Sequence, residues 1–314
     1  MKEFFIIGLV LLVFEIAYIV IARKLGIVDR PHHQSSHTGI VVRGGGLIFY
    51  VSYLIWFFFF GMQFPMIFIG LSILALISFV DDIHSISPKI RLVCQFVAFI
   101  IMLYETYVFD LPLQPLLLLS IVCVGAVNIY NFMDGINGMT GGYSLVIILA
   151  LLYVNEYQVH FIDRDLLVII CFAVLVFCFF NFRKHAKCFA GDVGSLSIGY
   201  IVLFLLLKLI FATGQSAWMA FLVVYAVDGG LTILHRVMLK ENLMKPHKKH
   251  VFQIMANELG MPQLMVSAIY MGIQSICCVW FIMFPVNATL IIQFIILSFL
   301  YMAFMQKYYH LHVE

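Results

Sequence analysis

The chain has 314 residues, of which 64% are hydrophobic and only 11% charged, with a mean hydropathy of +1.07. Soluble domains average about 45–50% apolar and about 25% charged residues, so an ordinary soluble fold is excluded. A net charge of +2 provides no overall field for nucleic acid, and long unbroken apolar runs exclude an outer-membrane barrel of short alternating strands.

About 20 apolar residues cross a bilayer as a helix. Eleven runs read as spans, near 3–22, 44–60, 66–80, 90–108, 112–130, 142–155, 166–181, 195–211, 217–235, 263–284 and 287–306. The expected fold class is all-α: a polytopic helical membrane protein of about 11 transmembrane helices, one domain over 1–314. The first run is long enough to stay as a span rather than be cleaved as a leader. It contains Glu15, which costs about 2.5–3.5 kcal/mol on insertion unless it faces a cavity or partner. The seven cysteines are scattered, without C-x-x-C or zinc spacing, and read as small buried hydrophobes.

Lysine and arginine set the orientation. With the N-terminus outside, 15 of the 18 basic residues fall in inner loops or at inner helix ends. Lys2 and Arg164 lie outside, and Lys208 sits near an outer end where its stem can snorkel. The positive-inside rule therefore predicts N-out and C-in. The loops 23–43, 81–90, 131–142, 182–195 and 235–262 then share the cytoplasmic face. They carry Asp29, Asp81, Asp82, Asp134 and Asp192, with Asp228 at an inner helix end. Ten of the eleven histidines lie on the same side. Transporters place ionisable groups near the midplane, so chemistry gathered at one interface favours an enzyme that joins a soluble and a membrane-embedded substrate.

Taken in chain order, His37 and Arg43, with Gly44-Gly45-Gly46, supply donors on the inner side. Asp81 and Asp82 end the third run, where adjacent acids repel each other and the helix dipole. A divalent cation would offset both effects, and so would Lys89 or Arg91. Asn128 and Asn131, one helical turn apart, precede Asp134-Gly135-Ile136-Asn137-Gly138, a stretch rich in oxygen ligands, amide donors and glycine. Gly191-Asp192-Val193-Gly194-Ser195 opens the eighth run. Asp192 or Ser195 can cap that helix, or its free N–H groups can bind phosphate while Asp192 holds Mg²⁺ beside it. Finally, His247-Lys248-Lys249-His250 forms a cationic cluster. It can lie on anionic lipid or neutralise a pyrophosphate, and it lacks a nearby third ligand for zinc.

Together these motifs resemble the polyprenyl-phosphate N-acetylhexosamine-1-phosphate transferases. The resemblance rests on Ser35-Ser36-His37 with Arg43 to Gly46, Asp81-Asp82, Asn128 to Gly138, Gly191 to Ser195, and Asp228 with the His247/His250 loop. His247-x-x-His250 followed by Val-Phe-Gln253 is closer to the enzymes that start O-antigen or capsule chains than to the peptidoglycan branch. The resemblance implies transfer of an N-acetylhexosamine 1-phosphate from a UDP-sugar to undecaprenyl phosphate, with release of UMP. It further implies Mg²⁺, with Mn²⁺ as an alternative, held by Asp192 and Asn131. Asp81 or Asp82 would deprotonate or orient the lipid phosphate, making these two, with Asp192 and His250, the implied catalytic set. Asn128, Asn131, Asp134 and Asn137 would line the nucleotide-sugar site, and His247, Lys248, Arg43 and His37 would contact substrate. The expected setting is the bacterial inner membrane, with a second copy of the chain as a candidate partner and no nucleic acid.

Two rivals follow from other chemistries. An aspartyl protease built on Asp134 and Asp192 would need two acids sharing a proton within the membrane, whereas both lie at loop boundaries among basic residues. A transporter of an anionic or lipid-linked solute is the non-enzymatic alternative, and Glu15 is the feature it explains best.

Overall fold

The computed structural model describes residues 2–30, 39–106, 112–242 and 248–311. His37 and His247 lie outside these residues. The helices are α1 (Lys2–Leu25), α2 (Leu47–Phe59), α3 (Pro65–Ile83), α4 (Pro88–Glu105), α5 (Leu113–Phe132) and α6 (Met139–Tyr157). They continue with α7 (Arg164–Asn181), α8 (Gly191–Thr213), α9 (Val223–Met238), the single turn α10 (Val251–Gln253), α11 (Gln263–Met283) and α12 (Asn287–Tyr308). A 3₁₀ segment, Ser216–Leu222, leads into α9, and a π-helical turn, Ile254–Glu258, follows α10.

Each of the eleven apolar runs coincides with a helix. Among the described residues, nine helical segments are long and apolar enough to cross a membrane. The other two are α2, which has 13 residues, and α4, whose first turn carries Lys89 and Arg91. The chain is thus an all-α, multi-pass membrane protein.

Local sequence explains the helix boundaries. Pro65 and Pro88 open α3 and α4 at the position where a missing N–H costs nothing. Asp163 caps α7 by accepting from Asp165 N at 3.2 Å. Gly214, in the left-handed region, closes α8.

Helix α8 is the axis of the bundle. Of its apolar window 72% is buried, against 11% for α1 and 22% for α12, whose outer faces are left for lipid. Around it pack α2, α3, α5 and α6. The α2–α8 crossing is close enough that a Cβ on Gly194 would lie 2.6 Å from the Gly46 Cα, so only glycine fits.

The only strands among the described residues are Val28–Asp29 (β1) and Val41–Val42 (β2), an antiparallel pair at the end of α1. Val42 also bridges Cys188, with Phe189 N donating to Val42 O at 2.8 Å. Two further bonds, Gly45 N to Phe189 O at 2.8 Å and Gly46 N to Ala190 O at 3.1 Å, continue this seam toward α8. The seam fixes Arg43 relative to Asp192.

Glu15 faces the bundle interior directly behind the seam. It is wholly buried and accepts from Cys188 Sγ at 3.3 Å, and its other oxygen has no hydrogen-bond partner among the described residues. Lys208, near the far end of α8, holds its ammonium 4.9 Å from the centre of the Phe64 ring, which keeps a cation beside aromatic surface.

Candidate active site

The ends of the helices define one polar cavity. The C-terminal ends of α3, α5 and α7 and the N-terminal ends of α4, α8 and α11 meet there, joined by the loops after α5 and after α9. The cavity encloses about 560 Å³. Of the residues singled out in the sequence, Arg43, Asp81, Asp82, Asn131, Asp134, Asn137, Asp192 and Lys248 line it.

Asp192 is the hub. Its Oδ1 accepts from Asn131 Nδ2 at 3.0 Å, and its Oδ2 lies 3.0 Å from Arg91 Nη2. Asn131 also donates to Ser195 Oγ at 2.8 Å, and Ser195 bonds back to Gly191 O at 3.0 Å. Ser195 therefore does not cap α8. Because the Asn131 nitrogen supplies both bonds, its amide oxygen is the atom suited to a cation.

The Asp81-Asp82 pair differs from expectation. Asp82 accepts from Asp192 N at 3.0 Å and from Val193 N at 3.1 Å. It caps α8 from another helix and takes the N–H groups that sequence reasoning offered to phosphate. Both its oxygens serve that cap, which argues against a free base. Gly191 makes the approach feasible, since it has φ +70° and a Cβ there would lie 2.5 Å from Asp82 Oδ2. Asp81 pairs with Arg91 Nη1 at 2.6 Å and accepts from Ile86 N at 2.6 Å. Arg91, weighed in the sequence only as a counter-ion, turns out to be that counter-ion and to reach Asp192 as well.

Two other residues fall outside the cavity. Asn128 points between α4 and α5, where its Nδ2 donates to Gln95 Oε1 at 2.7 Å and to Val124 O at 2.7 Å, and its Oδ1 accepts from Gln95 Nε2 at 3.3 Å. An amide within an apolar run must satisfy itself inside the bundle, and Asn128 does so with Gln95. Asn128→Ala is expected to lower thermal stability by about 1–2 kcal/mol, with kcat within about threefold of the parent. A melting curve paired with initial rates checks this.

His250 is buried behind the cavity wall at 1% exposure. Its Nδ1 lies 3.4 Å from Asp228 Oδ1, which also accepts from Val251 N at 3.1 Å. Asp228 Oδ2 accepts from Tyr270 OH at 2.5 Å. Asp228 thus ties α9 and α11 to the loop that presents Lys248 and Gln253 to the cavity. Asn137 lines the cavity, but its side-chain nitrogen holds Arg183 O at 3.0 Å, so its amide braces a loop.

Sequence reasoning did not assign Asp29, Asn181, Gln253 or Gln263 to the lining. Gln253 was legible in principle, because it lies one turn from His250 and the two close a capping box at the start of α10.

Asp134 is half-buried, and its removal from solvent pushes its carboxyl up to about 7, with Thr140 Oγ1 opposing the shift and the charge of Asp192 adding to it. Its ordinary value is 3.8. A raised carboxyl contributes stability that is full below the ordinary value and is lost as pH rises through about 7. In EDTA, the melting temperature is expected to fall over that window, and Asp134→Asn to remove part of the slope; parallel slopes would reassign it to other groups.

The described lining carries five carboxylates, Asp29, Asp81, Asp82, Asp134 and Asp192, against Arg43, Arg91 and Lys248. This surplus of hard oxygen donors fits Mg²⁺ better than a softer metal. Among the described residues no three His, Cys, Asp or Glu side chains form a complete metal site. A bound Mg²⁺ would accordingly draw on Asp192, Asn131 Oδ1, substrate phosphate and water.

The glycosyl transferase family 4 model matches residues 64–210, from α3 through most of α8. A probable undecaprenyl-phosphate N-acetylglucosaminyl 1-phosphate transferase of Bacillus subtilis is 29% identical over 74% of this chain and 70% of its own length. The undecaprenyl-phosphate alpha-N-acetylglucosaminyl 1-phosphate transferase of Escherichia coli K12 is 31% identical over 60% of this chain and 56% of its own. The corresponding Yersinia pestis protein is 27% identical over 62% and 60%. The matches thus span little more than half the length of the latter two relatives. The aligned family segment contains Asp81, Asp82, Asn131, Asp134 and Asp192, the residues that converge on the cavity. Over just under half of its length the chain is thus similar to glycosyl transferase family 4, and these relatives are undecaprenyl-phosphate N-acetylglucosaminyl 1-phosphate transferases.

Proposed function

We propose that the protein transfers an N-acetylhexosamine 1-phosphate from a UDP-sugar to undecaprenyl phosphate, releasing UMP and starting a cell-surface polysaccharide. The carrying observation is the cavity at the helix ends, where Asp192 and Asn131 meet Arg91, Arg43 and Lys248 at the edge of an apolar bundle. A lipid phosphate at headgroup depth reaches such a cavity while its isoprenoid tail stays in the membrane. The basic loops support a placement of this face in the cytoplasm of a bacterial inner membrane, where UDP-sugars are found.

An oxygen of the lipid phosphate attacks the sugar-linked phosphorus, and the bond from that phosphorus to the UMP oxygen breaks. A phosphate monoester has a second pKa of about 6, so the nucleophile is already ionised near neutral pH and needs no general base. That agrees with Asp81 and Asp82 being committed to Arg91 and to the α8 cap. What the residues must supply is alignment and charge neutralisation. Lys248, Arg43 and Arg91 face the phosphates, and Mg²⁺ at Asp192 and Asn131 would neutralise charge that builds on the leaving UMP.

Label placement tests the reading. With a UDP-N-acetylhexosamine carrying ³²P at the sugar-linked phosphorus, the label is expected in the lipid fraction only when undecaprenyl phosphate and Mg²⁺ are both present. Label left in water-soluble sugar phosphate would indicate hydrolysis, and intact donor throughout would refute transfer.

A further inference from the structure

Arg91 extends from the first turn of α4 and joins two other helices. Its Nη1 lies 2.6 Å from Asp81 Oδ2 at the end of α3, and its Nη2 lies 3.0 Å from Asp192 Oδ2 at the start of α8. Both nitrogens belong to one planar fork, so the two carboxylates converge on a single cationic group. Such convergence is also the donor arrangement a divalent cation takes. The two contacts are unequal. Each carboxylate has a second partner, Ile86 N at 2.6 Å for Asp81 and Asn131 Nδ2 at 3.0 Å for Asp192, but the guanidinium lies closer to Asp81, and Asp192 is the more exposed, at 29% against 9%. The Asp81 end is the anchor, and the Asp192 end is the one that can let go.

Resting on the metal-assisted reading above, we propose that Arg91 is an internal counter-ion: it occupies Asp192 in the metal-free protein, competes there with Mg²⁺, and turns to the anionic substrate once the cation has taken its place. Anchored through Asp81, the guanidinium needs only to exchange one oxygen partner for another within the cavity it already lines. Mg²⁺ alone then binds weakly, because it must displace a paired cation. Mg²⁺ and a nucleotide phosphate bind cooperatively, because the phosphate gives the released guanidinium a new partner. Arg91 in this view is a positioning residue that keeps two carboxylates from repelling each other until the reactants arrive.

The test uses the full-length protein in detergent, stripped with EDTA, with Mg²⁺ affinity read from thermal shifts in the absence and presence of UMP. Arg91→Met is expected to bind Mg²⁺ alone about tenfold more tightly than the parent, and to lose the tightening that UMP gives the parent. Arg43→Met removes the same unit of charge from the same cavity. Arg43 bonds Asp29 at 3.2 Å and Asp82 O at 3.5 Å, not Asp192. Its expected change is under about fivefold. Arg91→Lys keeps the charge without the two-pronged fork; it should fall between parent and Arg91→Met, and it serves if the methionine variant does not fold.

Equal tightening by Arg91→Met and Arg43→Met would reduce the effect to the general field and overturn the proposal, as would no tightening by either Arg91 variant. Both results leave the metal reading intact. No Mg²⁺ shift in any protein, with or without UMP, would overturn the metal reading and this inference together.

Discussion

Asp192→Ala is expected to lower kcat by about 10³-fold or more while the protein still inserts and folds. Asp192 is the meeting point of Asn131 and Arg91, and no other described carboxylate contacts both. Electrostatic groups of this kind typically contribute about 10²–10³ each, and here loss of the proposed metal ligand would add to the loss of Arg91 placement. Size-exclusion chromatography in detergent separates the outcome from misfolding. The Mg²⁺-induced thermal shift should disappear along with activity. Retention of that shift in folded Asp192→Ala would move the cation to other ligands.

The second large effect is at Asp82. Asp82→Ala leaves the N–H groups of Asp192 and Val193 without their acceptor at a partly buried helix end, a cost of about 1–3 kcal/mol. Because those groups belong to the turn proposed to hold the metal, kcat should fall about 100-fold, with a lower melting temperature. Asp82→Asn retains one acceptor oxygen and is expected to recover about tenfold of the loss. A residue acting as a general base would give a different pattern, with asparagine as inactive as alanine and stability unchanged. Melting curves and kcat for the two variants therefore distinguish a cap from a base.

Much of the architecture was legible because membrane helices announce themselves by composition. All eleven apolar runs became helices, and of the acids and bases expected on one face Asp29, Arg43, Asp81, Asp82, Arg91, Asp134, Asp192 and Lys248 line one cavity. The cavity was legible only in outline. Asp192 and Asn131 were paired in the sequence through the motifs that carry them, and they do meet. The cap on α8 was not foreseeable, because Asp82 and the groups it binds are 110 residues apart. Local patterns offered Asp192 and Ser195 as caps, and a tertiary contact took that role instead. Asn128 shows the limit of helical spacing. It lies one turn from Asn131, but that offset is enough for it to meet Gln95 on α4 while Asn131 meets Asp192 on α8. His250 looked like a phosphate ligand by charge and position, yet its burial against Asp228 makes it a fastening for the loop that carries Lys248 and Gln253.

Glu15 has a similar explanation. An acid within the first span suggested a transport path, but the structure turns it inward, against Cys188 and the seam that fixes Arg43.

The most direct measurement is UMP release by the purified protein in detergent, with a panel of UDP-N-acetylhexosamines, with and without undecaprenyl phosphate and Mg²⁺. Release is expected with at least one sugar, in stoichiometric step with lipid-linked product, and abolished by omitting the lipid or adding EDTA. UMP release that continues without the lipid acceptor, or no release with any sugar from demonstrably folded protein, would contradict the assignment.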